Sequence, residues 1–144
     1  MSEITLLDGS IGQELVKRAG KAPTPLWSTM VMIDQPDILR DVHKEYFNVG
    51  ASVATTNTYP VLYDRLVREG LEDQIETLWA QAIKSACSAR DTHGSGKVAG
   101  SIGPLIASYR PDICPPAAEA EERYGDIVAA LSPHVDVLLI ETMS

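Results

Sequence analysis

Apolar residues along this chain switch between two periods. Four short runs are rich in strand-forming residues: Ile4 to Leu7, Ala51 to Thr58, Lys97 to Ile102 and Val135 to Thr142. Between them the apolar spacing becomes helical. Ile11 to Arg18 reads as a short helix ending at Gly20, a C′ glycine. Pro36 suits the first position of a second helix, in which Ile38, Leu39, Val42, Tyr46 and Val49 share one face before Gly50 closes it. Leu71, Ile75, Leu78, Trp79, Ala82, Ile83 and Ala86 line a longer helix that runs out at His93-Gly-Ser-Gly96. After Pro115-Pro116, the residues Tyr124, Ile127, Val128 and Leu131 mark a last helix that Ser132-Pro133 stops. The strand runs start roughly 40 to 47 residues apart, more than the ~30 of a minimal strand-helix-strand unit. This alternation predicts an α/β fold with a parallel sheet. Two connections, Gly20 to Gln35 and Gly103 to Pro116, exceed the usual ~4 to 6 residues and are the places to expect function.

At 144 residues and 44% hydrophobic content the chain suits one domain with a real core. Its formal charge of -8 argues against nucleic acid or an anionic membrane surface as partner and favours a small-molecule ligand. No apolar run approaches the ~20 residues that span a bilayer, and Met-Ser-Glu-Ile is no basic signal-peptide start, so a cytoplasmic location is expected. Cys87 and Cys114 form no disulfide framework. The first reads as a small buried hydrophobe, the second as a loop thiol with Arg110 as its one nearby cation. Internal repeats, low-complexity tracts and linkers are lacking.

In a parallel α/β fold the chemistry gathers at the carboxyl ends of the strands. Here those ends read Asp8-Gly9-Ser10, Thr55-Thr56-Asn57-Thr58-Tyr59, Gly100-Ser101-Ile102-Gly103-Pro104 and Glu141-Thr142. Two carboxylates thereby converge with several neutral hydrogen-bonding groups. Asp8 has a structural alternative as N-cap of the first helix. Glu141, behind the run Val-Leu-Leu-Ile, is partly desolvated and needs donors or a cation; its alternative is a structural ion pair. Asn57 could complete a turn and Tyr59 could be a packing residue. Gly100 and Gly103 would let backbone or ligand come close. His43, His93 and His134 fall on a helix or in connections away from the strand ends and are read as solvated. Phosphate-loop, dinucleotide-binding, nucleophile-elbow and zinc-protease motifs are lacking.

Taken together, Leu6-Leu-Asp-Gly-Ser-Ile-Gly-Gln-Glu-Leu15, Thr55-Thr-Asn-Thr-Tyr59, Gly100-Ser-Ile-Gly-Pro104 and Leu139-Ile-Glu-Thr142 resemble the homocysteine S-methyltransferase family. Trp27 and Ala107-Ser-Tyr-Arg-Pro111 extend the resemblance along the chain. It implies a (β/α)8 TIM barrel, of which residues 1–144 would supply about the first four βα units. The implied reaction moves a methyl group to the thiol of homocysteine, forming methionine. The implied cofactor is zinc, held by three cysteine thiolates in Gly-x-Asn-Cys-like and Gly-Gly-Cys-Cys-like motifs that do not occur here. No metal ligand and no catalytic residue is therefore carried over, and the zinc ligands are expected outside this chain. The resemblance places Asp8 and Glu141 at the ammonium group of homocysteine, where carboxylates make charge-assisted hydrogen bonds. Gly9 allows close backbone approach, Trp27 faces a sulfonium donor such as S-methylmethionine or S-adenosylmethionine, and Asn57 and Thr58 order the site. Trp27 also reads as an anchor for the first long loop. The chain is thus expected to be the N-terminal half of such an enzyme, inactive alone. Its exposed edges would favour a homo-oligomer or the missing C-terminal half as partner. The alternative is a non-catalytic half-barrel remnant or subunit that completes a barrel with another chain.

Overall fold

The computed structural model describes residues 4–20 and 24–143. At its centre lies a parallel sheet of three strands, β1 (Val53–Thr55), β2 (Lys97–Ile102) and β3 (Val137–Ile140), in the spatial order β1-β2-β3. Val53 pairs with Lys97, and Ala99 with Val137, so successive strands are neighbours throughout. The segment before Asp8 runs beside β1: Leu7 bridges Val53, the Ser52 amide donates to the Leu6 carbonyl, and the Asp8 amide donates to the Val53 carbonyl.

The strand expected over Ile4 to Leu7 is therefore reduced to one bridge. Among the described residues it has a partner on one flank only, and Ile4 and Leu6 are 89% and 55% exposed, so neither pairing nor burial extends it. β1 is shorter than the run Ala51 to Thr58 because Asn57 to Pro60 turn away, although the Thr56 amide still donates to the Ala99 carbonyl. β2 has the expected bounds. β3 is trimmed at both ends: the Asp136 carboxylate takes the Val98 amide at 2.8 Å, and Glu141 lies past the strand with its amide still donating to the Ile102 carbonyl.

Among the described residues the helices are α1 (Ile11–Ala19), α2 (Ser28–Asp34), α3 (Pro36–Asn48), α4 (Tyr63–Leu66), α5 (Ile75–His93) and α6 (Ala117–Leu131), with 3-10 turns at 67–69, 72–74 and 111–113. Ser10 caps α1 by accepting the Gln13 amide, and Gly20 ends it at φ +64°. α3 carries Pro36 at its start, but Val49 lies past its last turn and is exposed, off the expected apolar face. α2 occupies what the sequence leaves as loop. It has no side-chain cap, and burial of Ser28, Thr29, Val31 and Met32 holds it.

Leu15, Met32, Leu39, Val42, Val61, Leu66, Leu78, Ala82 and Leu131 are fully or almost fully buried in one core between helices and sheet. A smaller cluster of Phe47, Ala54, Ala86, Ala89 and Val98 closes the other end. Alternation along β2 turns Val98, Gly100 and Ile102 toward the helices, where a Cβ on Gly100 would stand 3.1 to 3.2 Å from Leu131 and Leu138. Ser101 points the opposite way, into the mouth of the sheet. Among the described residues no helix is long and apolar enough to cross a membrane.

Candidate active site

A cavity of about 510 Å³ opens at the carboxyl ends of the strands, lined by Asp8, Gly9, Trp27, Asn57, Ser101 and Glu141 among others. A larger groove of about 780 Å³ lies between α5 and α6 but gathers no strand-end carboxylate. Chemistry therefore decides for the smaller one.

Asp8 does not cap α1, since Ser10 does so. Its carboxylate is turned to β1, where Oδ2 accepts the Thr55 amide and Oδ1 the Thr55 hydroxyl, both at 2.6 Å. Burial pushes its pKa above the ordinary aspartate value; the Thr55 bonds oppose that rise, and the charge of Glu141 adds to it. Glu141 leaves β3 into the same cavity and accepts the Ser101 hydroxyl at 2.5 Å. Among the described residues no cation pairs with it, so the structural ion pair is not formed there.

Behind Ser101 a closed ring of hydrogen bonds fixes its backbone. The Ser101 amide donates to Thr56 Oγ1 at 3.0 Å, the Thr56 and Thr58 hydroxyls bond at 2.8 Å, and Thr58 donates to the Ser101 carbonyl at 2.6 Å. Thr58 is thus fully buried and outside the cavity lining, and its part is to hold Ser101. Asn57 does line the cavity. Its Oδ1 accepts the Ser28 hydroxyl at 3.1 Å, while its buried Nδ2 has no partner among the described residues.

Trp27 lines the cavity from the first long loop and also anchors it. Its backbone adopts φ +49°, rare for a side chain of this size, and its ring fills the space beside Gly12, where a Cβ would sit 2.4 Å from the indole. Gly9 lines the cavity, and the room left by its missing Cβ is taken by the Tyr46 ring at 2.6 to 2.9 Å. Gly103 similarly accommodates Tyr59, and Gly100 the leucines of α6 and β3. Tyr59 bonds Ser108 through its hydroxyl at 2.5 Å, fastening the 103–116 loop to the rim.

Three functional groups escape the sequence reading. Thr55 and Ser101 sit inside the quoted strand-end runs, yet their geometry as the donors to the two carboxylates is set by strand register. His43 is the larger correction: it is fully buried on α3, not solvated, with Nδ1 3.9 Å from Asp8 Oδ2 and neither nitrogen bonded among the described residues. Burial lowers its pKa to about 4, so the ring is neutral at pH 7. His93 is exposed and stacks on Phe47 at 5.1 Å, and His134 is exposed. Cys87 is half-buried, its thiol pushed up by burial, and donates to the His134 carbonyl at 3.6 Å; Cys114 is exposed. Among the described residues no group of three or more His, Cys, Asp or Glu side chains could hold a metal, so the zinc implied by the resemblance does not fit a site here.

Comparison with known proteins bears on this geometry. A family model for homocysteine S-methyltransferase matches residues 5–144. The homocysteine S-methyltransferase of Escherichia coli K12 is 31% identical over 98% of this chain and 50% of its own length. That of Arabidopsis thaliana is 29% identical over 86% of this chain and 40% of its own length. The crystal structure of the E. coli homocysteine methyltransferase MmuM in its metallated form matches with a TM-score of 0.87 at 29% identity, across 99% of this chain and 55% of that one. The chain spans about half the length of the curated relatives it matches, and its parallel sheet and flanking helices correspond to about half of the homocysteine methyltransferase barrel.

Proposed function

Because this chain belongs to the homocysteine S-methyltransferase family, we propose that its cavity binds homocysteine, with Asp8 and Glu141 holding the ammonium group. One observation carries this reading. Two carboxylates share a partly buried cavity, and among the described residues each accepts from neutral donors alone, Thr55 for one and Ser101 for the other. A ligand bearing a primary ammonium supplies the missing positive charge and hydrogen bonds to both oxygen sets at once. The unpaired Asn57 Nδ2 offers a donor to the carboxylate of the same amino acid.

The remaining lining suits the other reactant. A sulfonium donor, S-methylmethionine or S-adenosylmethionine, carries a positive charge that the Trp27 face attracts by about 0.5 to 2 kcal/mol. Its methyl group passes to the homocysteine thiol to form methionine. The thiolate nucleophile that the reaction needs would come from zinc coordination in the whole protein, with ligands proposed to lie outside this chain. The residues described here bind and orient substrate, and the 144 residues alone are proposed not to turn over.

Titration of L-homocysteine into wild-type protein and into Glu141→Gln tests the site. Loss of a charge-assisted bond should weaken homocysteine about 10- to 100-fold while leaving sulfonium binding within about twofold. An unchanged homocysteine affinity would reduce Glu141 to a structural role. A second reading, a non-catalytic half-barrel that another chain completes, is favoured by the exposure of Val137 and Ile140 on β3. Sedimentation of the purified chain with and without a complementary polypeptide separates the two.

A further inference from the structure

His43 is the one fully buried histidine of this chain among the described residues, and its environment is not that of an ordinary core position. On α3 it shares the buried face with Leu39, Val42 and Phe47, where a leucine would fill the space without bringing two nitrogens out of water. Both nitrogens lack partners among the described residues, and Nδ1 lies 3.9 Å from Asp8 Oδ2, about 1 Å beyond a formed hydrogen bond. Each carboxylate oxygen has two acceptor sites. The Thr55 amide and hydroxyl occupy one on each oxygen of Asp8, which leaves Oδ2 able to accept a second donor from the side of α3 while Asp8 as a residue lines the cavity. The remaining charged and titratable groups around Asp8 are Glu141 across the cavity and Tyr46, one turn along α3, with Glu14 and Arg18 beyond Tyr46.

We propose that His43 is the positioning residue for Asp8: its Nδ1–H closes onto Oδ2 when an ammonium ligand binds and holds the carboxylate turned toward that ligand. The inference rests on the homocysteine reading of the cavity for the identity of the ligand. Neutrality is what the role requires. A lysine or arginine here would neutralise Asp8 permanently and compete with the substrate ammonium, whereas a neutral imidazole lends a donor and leaves the negative charge for the ligand. Because burial keeps the ring uncharged down to about pH 4, it stays a neutral donor throughout the physiological range.

Long-range 15N–1H NMR of His43 in the wild-type protein provides the first test. The proposal expects the Nδ1–H tautomer in the ligand-free protein and a downfield shift of that proton with L-homocysteine but not with 4-sulfanylbutanoate, which lacks the ammonium. An Nε2–H ring would overturn it whatever the protein binds. If homocysteine fails to bind, the proposed function fails, and the tautomer still decides for or against His43. Variants supply the second test. His43→Leu should weaken L-homocysteine about tenfold and leave 4-sulfanylbutanoate within about twofold, and His43→Asn, which keeps a donor near the Nδ1 position, should recover most of the loss. Equal losses for both ligands, or no recovery with asparagine, would make His43 a packing residue and overturn the proposal.

Discussion

Asp8 is held in a way that favours a ligand over the fold. Its carboxylate is desolvated, and the groups around it relieve only part of that cost. Asp8→Asn can keep both contacts to Thr55, since its Oδ1 accepts the amide and its Nδ2 donates to the hydroxyl. We expect thermal unfolding at pH 7 to occur at the same temperature or higher, while L-homocysteine affinity falls about 10- to 100-fold by calorimetry. A large loss of stability would contradict this account of the buried charge. His43 acts on the acid side. Its folded pKa of about 4 lies below the ordinary 6.5, so the unfolded chain binds the extra proton between those values and stability falls as pH drops through that window. The full effect is about 3 kcal/mol. Asp8, with its pKa raised, has the opposite sign: its contribution declines as pH rises above the ordinary aspartate value. Urea unfolding of wild type and His43→Leu from pH 4 to 7 isolates the histidine: the variant lacks this acid-side loss, so the stability of the wild type relative to it should fall toward low pH. As cavity-lining residues, Asp8, Asn57 and Glu141 were legible because strand ends collect chemistry, and Trp27 only through the family resemblance. His43 was not, because apolar periodicity treats a polar residue as a solvated one.

At the scale of elements, the contact between α1 and Trp27 joins fold to cavity. Gly12 is buried under the indole, and a methyl group there would overlap the ring. Gly12→Ala should cost about 1 to 3 kcal/mol of stability by overpacking, and the displaced Trp27 should report it through altered fluorescence and weakened sulfonium binding. An unshifted emission spectrum with full stability would show that the ring has room elsewhere. The helices α1, α3, α5 and α6 were readable from their apolar spacing, glycine stops and proline starts. α2 was not, because its run Ser28-Thr-Met-Val-Met-Ile-Asp34 lacks a polar face and a cap, and tertiary burial alone decides its state. Strand limits were the least legible. Thr56, Asn57 and Thr58 have strand-forming neighbours, yet their side chains bond across to Ser101 and Ser28, which ends β1 early.

For the whole molecule, the alternation of strand and helix was sufficient to foresee a parallel sheet with its mouth at the carboxyl ends. What no alternation reveals is how much apolar surface remains uncovered. Val137 is 50% and Ile140 66% exposed on β3, with Ile4 and Leu6 exposed beyond β1. Isolated exposed side chains are ordinary, but edge strands with unpaired backbone groups are templates for association. The 144-residue chain should therefore self-associate and bind a hydrophobic dye, and the double change Val137→Lys with Ile140→Lys should lower both, as read by sedimentation velocity and dye fluorescence. Monodisperse wild-type chain without dye binding would remove the basis for the half-barrel reading.

The order β1-β2-β3, with Leu7 beside β1, has a consequence in time as well as in space. Each strand finds its partner already made by the preceding stretch of chain, so the sheet can grow in the order in which the ribosome delivers it. Asp8, Thr55 and Ser101 would be assembled one after another at the tip of a nascent chain, with Glu141 arriving last to complete the pair of carboxylates.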